Sequence, residues 1–318
     1  MLPKKILNLT GLLLIGEATA LVYIGGVAKI AVLTGISCFL IPELAALSYD
    51  VFTRPTGTWA RAPFLLVATP LLTAIIGLLI EQYLGYGVGS ILLSISLTLL
   101  IIKLLNSPIA PAIPAGLLPI VLEEKSWWYP AAILFGTLML VLGLYIYKKT
   151  FSELITSQKN DLTNQIDDIV EQPPKQYTWL PFFIVFLLAD VYLAKLTGLR
   201  FIMFPPLIVI AFEMFAHSDV CPWAAKPVFL VIACVLVATV GVSVMMTLGN
   251  HPFSVMIVMV VTMFIIRWFR LHAPPAAAVG LLPFVIDQPD FRFPLAVCIG
   301  TTLLVGTFHI YRSFYIKK

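Results

Sequence analysis

Two stretches of this chain repeat, 164 positions apart. Ile101-Ile102-Lys103 returns as Ile265-Ile266-Arg267, and Gly116-Leu117-Leu118-Pro119 returns unchanged as Gly280-Leu281-Leu282-Pro283. The same step carries Trp59 to Trp223, Pro63 to Pro227, Pro130 to Pro294, Gly136-Thr137 to Gly300-Thr301 and Tyr147 to Tyr311. Shortened by one, it carries Thr34-Gly35 to Thr197-Gly198, Pro42 to Pro205, Phe52 to Phe215 and Asp50 to the acidic Glu213. A chain built this way is expected to fold as two copies of one unit. In an apolar chain such repeats are a mark of transporters, whose substrate path lies between the units near the bilayer midplane.

Composition identifies the solvent. Hydrophobic residues make up 60% of the chain and charged residues 11%, with a mean hydropathy of +1.00. Soluble domains carry charge on about a quarter of their residues. The deficit runs along the whole length, so the expected fold class is an all-α polytopic membrane protein. Lys4-Lys5, an apolar stretch and Ala18-Thr19-Ala20 mimic a cleaved signal, but Glu17 interrupts the stretch and apolar sequence continues past it. An uncleaved first span is the reading adopted. Cys38, Cys221, Cys234 and Cys298 form no CxxC pair and mostly sit in apolar runs. They read as small hydrophobes, and neither a metal nor another cofactor is expected.

Apolar stretches fall at about 6–26, 30–52, 64–84, 88–105, 108–122 and 127–147, then again at about 178–196, 201–216, 227–247, 252–269, 273–286 and 293–311. This predicts two homologous halves, 1–149 and 177–318, with about 10–12 transmembrane segments. The stretches 108–122 and 273–286 are short and rich in proline, which a continuous helix does not accommodate. Each is expected to be a re-entrant loop or a distorted crossing.

Charge placement chooses between those two. If the broken stretch crosses, both halves point the same way. Fifteen of the twenty lysines and arginines then share one side: Lys4, Lys5, Arg54, Arg61, Lys103, Lys148, Lys149, Lys159, Lys175, Lys226, Arg267, Arg270, Arg312, Lys317 and Lys318. Lys29, Lys125, Lys195, Arg200 and Arg292 fall on the other. If it re-enters, the halves are inverted and the split shrinks to about 11 to 9. The positive-inside rule selects a parallel repeat in the cell membrane, with N-terminus, linker and C-terminus in the cytoplasm.

The linker, 150–176, is the one long polar segment. Phe151, Leu154, Ile155, Leu162, Ile166 and Ile169 recur at helical spacing until Pro173-Pro174, and Glu153, Asp161, Asp167, Asp168 and Glu171 outnumber its lysines. An acidic helix binds anionic headgroups poorly. A cytosolic connector packed on its own membrane domain is the first reading, and a partner-binding or dimerising helix the second.

The paired broken stretches are the strongest functional signal. The first runs Asn106-Ser107-Pro108-Ile109-Ala110-Pro111-Ala112-Ile113-Pro114-Ala115-Gly116, the second Arg270-Leu271-His272-Ala273-Pro274-Pro275-Ala276-Ala277-Ala278-Val279-Gly280, each closing on Leu-Leu-Pro. Broken helices free backbone groups that protein, water or ligand must satisfy, and a restarting helix offers a positive dipole end to an anion. The competing reading is a kinked packing element whose small residues permit close helix contact.

Paired prolines, small residues and a terminal Leu-Leu-Pro, followed by Trp127-Trp128 and a glycine-containing helix, resemble the HPP transmembrane family. The polar loops Phe52–Pro63 and Phe215–Pro227 resemble the family's loop between its first two spans. The resemblance covers most of both halves and implies a tandem form of a unit usually found singly. It further implies transport of a small inorganic anion such as nitrite, with which some plastid and cyanobacterial members are associated. The family's His-Pro-Pro falls on Ala273-Pro274-Pro275, with His272 one place early, and on Ile109-Ala110-Pro111 in the first half.

Candidate substrate-path residues follow: Lys103, Asn106, Ser107, Pro111, Gly116, Arg267, Arg270, His272, Pro274, Pro275 and Gly280. Cations beside an anion path raise the local anion concentration, although the same residues serve equally as headgroup anchors. Acids inside apolar spans are costly, so Glu17, Asp50, Asp190 and Glu213 are candidates to carry a coupling proton or to hold an internal ion pair. No HExxH, GxSxG, Walker or GxGxxG pattern is present, so catalysis is not expected; an intramembrane enzyme would have to use His272 with Arg270. No basic soluble face suggests nucleic acid. The expected partners are the lipid bilayer and a small solute, with oligomeric state open. The rival functions are a carrier of aromatic or organic acids and a membrane scaffold acting through 150–176.

Overall fold

The computed structural model describes residues 4–156, 166, 168–172, 174, 176–271 and 273–315. Among these residues there are helices and no strand. The first half comprises α1 (Lys4–Thr34), α2 (Glu43–Thr53), α3 (Pro63–Leu84), α4 (Val88–Leu104), α5 (Ala112–Leu122) and α6 (Trp128–Thr150). The second comprises α7 (Leu180–Thr197), α8 (Pro205–Ala216), α9 (Pro227–Leu248), α10 (Pro252–Trp268), α11 (Pro275–Leu281) and α12 (Arg292–Tyr315). The repeat is therefore structural: each helix in the first half has its counterpart six places on. Helix boundaries follow local chemistry. Proline in the first turn starts α3 and α9, where its fixed φ helps and its missing N–H is not needed. Glycines at positive φ end four helices in matched pairs, Gly35 with Gly198 and Gly85 with Gly249.

Six helices, α1, α3, α6, α7, α9 and α12, are long and apolar enough to cross a membrane. The polytopic all-α class is thus what the sequence indicates. The shorter helices also run from one face of the bundle to the other. Trp59, just before α3, donates from Nε1 to the Pro108 carbonyl (2.9 Å), while Gln82, near the end of α3, donates to the Lys125 carbonyl (2.7 Å). The stretch 108–125 therefore travels alongside α3 from end to end. Lys226 and Asn250 hold the counterpart stretch against α9 in the same way, through the carbonyls of Phe269, Arg270 and Phe284. Both broken stretches run the length of the long helix beside them.

Two expectations need correction. The span drawn at 30–52 does not exist as one helix: α1 continues to Thr34, Gly35 turns with φ 69°, and Pro42 precedes a new helix of 11 residues. In consequence each half has a second short helix beside its proline-broken one, α2 with α5 and α8 with α11. A helix of 11 residues rises only about 16 Å, roughly half the hydrocarbon thickness. The remaining depth is covered by irregular backbone, which tolerates membrane depth only when buried in protein. It is buried here. Every residue from Ser107 to Val121 and from Pro205 to Phe215 is buried, as is every residue of α11.

The repeat is parallel. Asp168 of the linker bonds to Arg54, Thr58 and Arg61 of the first half, and Gln172, four residues on, meets His217 of the second. Equivalent loops of the two halves thus lie on one face, the linker face. On the opposite face Arg200 reaches the Val121 carbonyl and Glu123. The described linker is helical at Ser152–Thr156 and at 168–170; Asp161, Leu162 and Asp167 lie outside the described residues.

Candidate functional site

The four short helices meet where the halves meet. Helix α2 packs on α11, α8 packs reciprocally on α5, and α8 also touches α11. Glycine permits the closest approaches. A Cβ on Gly77 of α3 would lie 1.9 Å from the Gly116 carbonyl oxygen, and one on Gly241 of α9 would lie 2.3 Å from that of Gly280. Backbone groups freed by the breaks find protein partners. Ser94 donates to the Gly116 carbonyl (2.7 Å) and Tyr129 to that of Ala115 (2.7 Å). Ser107 is buried, shares a hydrogen bond with Thr69 (2.8 Å) and accepts from the Ile109 N–H (3.2 Å). Pro111 caps α5, and Pro274 and Pro275 open α11.

Asn106 and Arg270 occupy one matched position with one unusual backbone, φ 46° and 51°. Each ends its helix by the same pattern, with Ser107 N–H on Ile102 and Leu271 N–H on Ile266. Left-handed backbone at a helix end is ordinarily given to glycine, and holding asparagine or arginine there costs roughly 1 kcal/mol. Both side chains are exposed, and His272 lies outside the described residues.

The cations Lys103 and Arg267 match in sequence but not in setting. Arg267 grips Glu17 of α1 through both carboxylate oxygens, at 2.5 and 2.6 Å. Lys103 lies over the ring of Tyr177, 4.8 Å from its centre, and no carboxylate among the described residues pairs with it. Both sit at the outer rim, where α10 meets α1 and α4 meets α7, away from the packed glycines.

The structure brings Asp50 and Glu213 to the two sides of Glu171, beside an arginine that sequence reasoning did not select. Arg54 is buried and binds Asp50 (2.9 Å), Asp168 (2.9 Å) and Glu171. Arg61 adds a second contact to Asp168 (2.6 Å), as do the N–H and hydroxyl of Thr58. Glu171 lies among Asp50, Arg54 and Glu213. Burial, reinforced by Asp50 and Glu213, holds its carboxyl well above the ordinary carboxylate range against the pull of Arg54. His217, bonded to the backbone of Gln172, is pushed below its ordinary value by burial. Residues 168–172 thus form a strap across the linker-face ends of α2 and α8. Arg54 stands four residues after Asp50, a spacing that could have flagged it.

Asp190 is fully buried in α7, and neither of its carboxylate oxygens has a hydrogen-bond partner among the described residues. Glu43 and Glu81, which the sequence reading passed over, are buried in α2 and α3. The four cysteines are free thiols, two of them buried.

The chain is a multi-pass membrane protein of two parallel, interlocked repeats. No family model, curated protein or solved structure matches it.

Proposed function

We propose that this protein carries a small solute across the membrane along the boundary between its halves. One observation carries the reading: four discontinuous crossings, two from each half, meet reciprocally at a single interface enclosed by long helices. Carriers use broken helices at repeat interfaces because they supply backbone groups and dipole ends at membrane depth. The best substrate class is a small inorganic anion such as nitrite, a choice resting on the resemblance to the HPP family. Buried acids favour proton coupling, with Asp190 the leading candidate because its carboxylate has no polar partner among the described residues. On this reading the strap at 168–172 closes the linker-face, cytoplasmic end.

The scaffold alternative is weaker. Asp168 and Glu171 are spent on Arg54 and Arg61, which suits a connector bound to its own membrane domain. The test is a flux assay with purified protein in liposomes, screening nitrite, nitrate and halides with and without a proton gradient. Uptake of one anion that accelerates with inward proton flow supports the proposal. Absence of flux for all of them, with the pH gradient intact, would sink it.

A further inference from the structure

Twice in this molecule a helix that follows a long crossing returns beside the first helix of the other half. Helix α10 meets α1, and α4 meets α7. The two seams are equivalent by the repeat, yet only one is closed. At the α1–α10 seam small residues admit neighbours: a Cβ on Gly25 would lie 2.8 Å from the sulfur of Met256. Glu17 and Arg267 then bridge the two helices.

At the α4–α7 seam the equivalent positions are bulky. Phe183 stands where Ala20 stands and Leu188 where Gly25 stands, while Leu92 replaces Met256 and Leu180 replaces Glu17. A cavity of about 390 Å³ lies between the helices, with Leu92, Leu180 and Phe183 in its walls. Its walls are apolar and aromatic: Trp179 and Phe183 sit 5.6 Å apart, and Phe212 lies 5.5 Å from Trp179. The indole N–H of Trp179 is already given to the Gln176 carbonyl (2.8 Å), so that wall asks for no polar partner. At the mouth stands Lys103, steadied by Tyr177. Leu100 and Ile184 on the rim are 48% and 43% exposed, so the cleft opens toward the lipid.

We infer that the α4–α7 cleft is a binding site for one anionic phospholipid, with an acyl chain between Phe183 and Leu92 and its phosphate on Lys103. The matched cation in the other seam has a carboxylate from the protein, while Lys103 has none among the described residues; a lipid phosphate supplies an anion there. Depth agrees. Lys103 and Tyr177 lie toward the linker face, which the positive-inside rule assigns to the cytoplasmic leaflet, where anionic lipids concentrate. The inference does not rest on the transport proposal, since it needs only the cleft, the cation and a bilayer.

Native mass spectrometry of the full chain, released from nanodiscs of equal phosphatidylglycerol and phosphatidylcholine, tests it without any variant. One retained phosphatidylglycerol per chain, in preference to phosphatidylcholine, is the expected result. Lys103→Gln should lower that preference about five-fold, as expected for one lysine near a lipid surface. Ser96→Trp, which fills the cleft, should lower retention of both lipids. Arg267→Gln, in the closed seam, should leave retention unchanged. Equal retention of the two lipids would overturn the inference, as would retention of added oleate in place of phospholipid. So would a crosslinked dimer in which a second copy fills the cleft.

Discussion

Gly77 against Gly116 and Gly241 against Gly280 are the same contact made twice, whereas the two seams at the rim, Glu17 with Arg267 and Lys103 with Tyr177, share only their cation. The inner contact leaves no freedom, because any side chain would meet a carbonyl oxygen of the facing backbone. The rim faces lipid and tolerates change. Packing fixes the interior alike in both halves, while the two seams carry different partners. A third region has no counterpart at all: the strap binds the first half through Arg54 but meets His217 at the equivalent loop of the second.

The largest effect should come from that unmatched region. Arg54→Ala leaves Asp50 and Glu171 buried without their guanidinium, and removing one partner of a buried ion cluster typically costs about 3–5 kcal/mol. Thermal unfolding in detergent should show a large fall for R54A. His217→Ala, across the boundary, should fall far less. Equal losses would mean that the strap holds both halves alike.

Next come the matched glycines. Gly77→Ala and Gly241→Ala each force a Cβ to within 1.9 and 2.3 Å of a backbone oxygen. Each should destabilise by about 1–3 kcal/mol, typical of overpacking where the backbone must shift. Gly26→Ala, with no atom of another residue near its would-be Cβ, is the control expected to change little. If only one of the matched pair proved sensitive, the interior equivalence would fail.

Much of this comparison is legible in the sequence. The shared Gly-Leu-Leu-Pro, the matched Pro63 and Pro227, and the charge asymmetry together imply two parallel halves whose broken stretches cross. The short helix α2 was hidden because its apolar residues run on from α1, and hydropathy does not register a break. Gly35 and Pro42 did carry the signal. Arg54 with Asp168 and Glu17 with Arg267 lie 114 and 250 positions apart. Spacing along a chain says nothing about such pairs; only the topology brings them together. The open cleft depends on what stands opposite Gly25 and Ala20 in the second half, which the alignment supplies but only packing interprets.

The strap should also respond to pH. Glu171 has a folded pKa above its ordinary value of 4.5, so its uncharged form is the one that burial tolerates. The stability it contributes is fully present below the ordinary carboxylate range and is lost as pH rises through the folded value. Hydrogen exchange of residues 168–172 should therefore quicken with rising pH, beyond the intrinsic chemical rate. Glu171→Gln should flatten that dependence. A variant that keeps the wild-type profile would show that another group controls the strap.

The smallest effect concerns the closed seam, and it can be used to make the two seams alike. Arg267 is half exposed, so its bond to Glu17 is screened and should be worth only about 0.2–1 kcal/mol in a double-mutant cycle with Glu17→Gln and Arg267→Gln. Leu180 occupies the position equivalent to Glu17 and lines the open cleft. Leu180→Glu should offer Lys103 an internal carboxylate, with a coupling to Lys103→Gln of the same small size. It should also reduce phosphatidylglycerol retention, because the protein's own anion then competes for the lysine. If coupling appears but retention is unchanged, the lipid is held by the aromatic walls alone. If neither appears, bulk at Phe183 and Leu188 keeps the helices too far apart for any side chain to bridge, and the seams differ by geometry before they differ by charge.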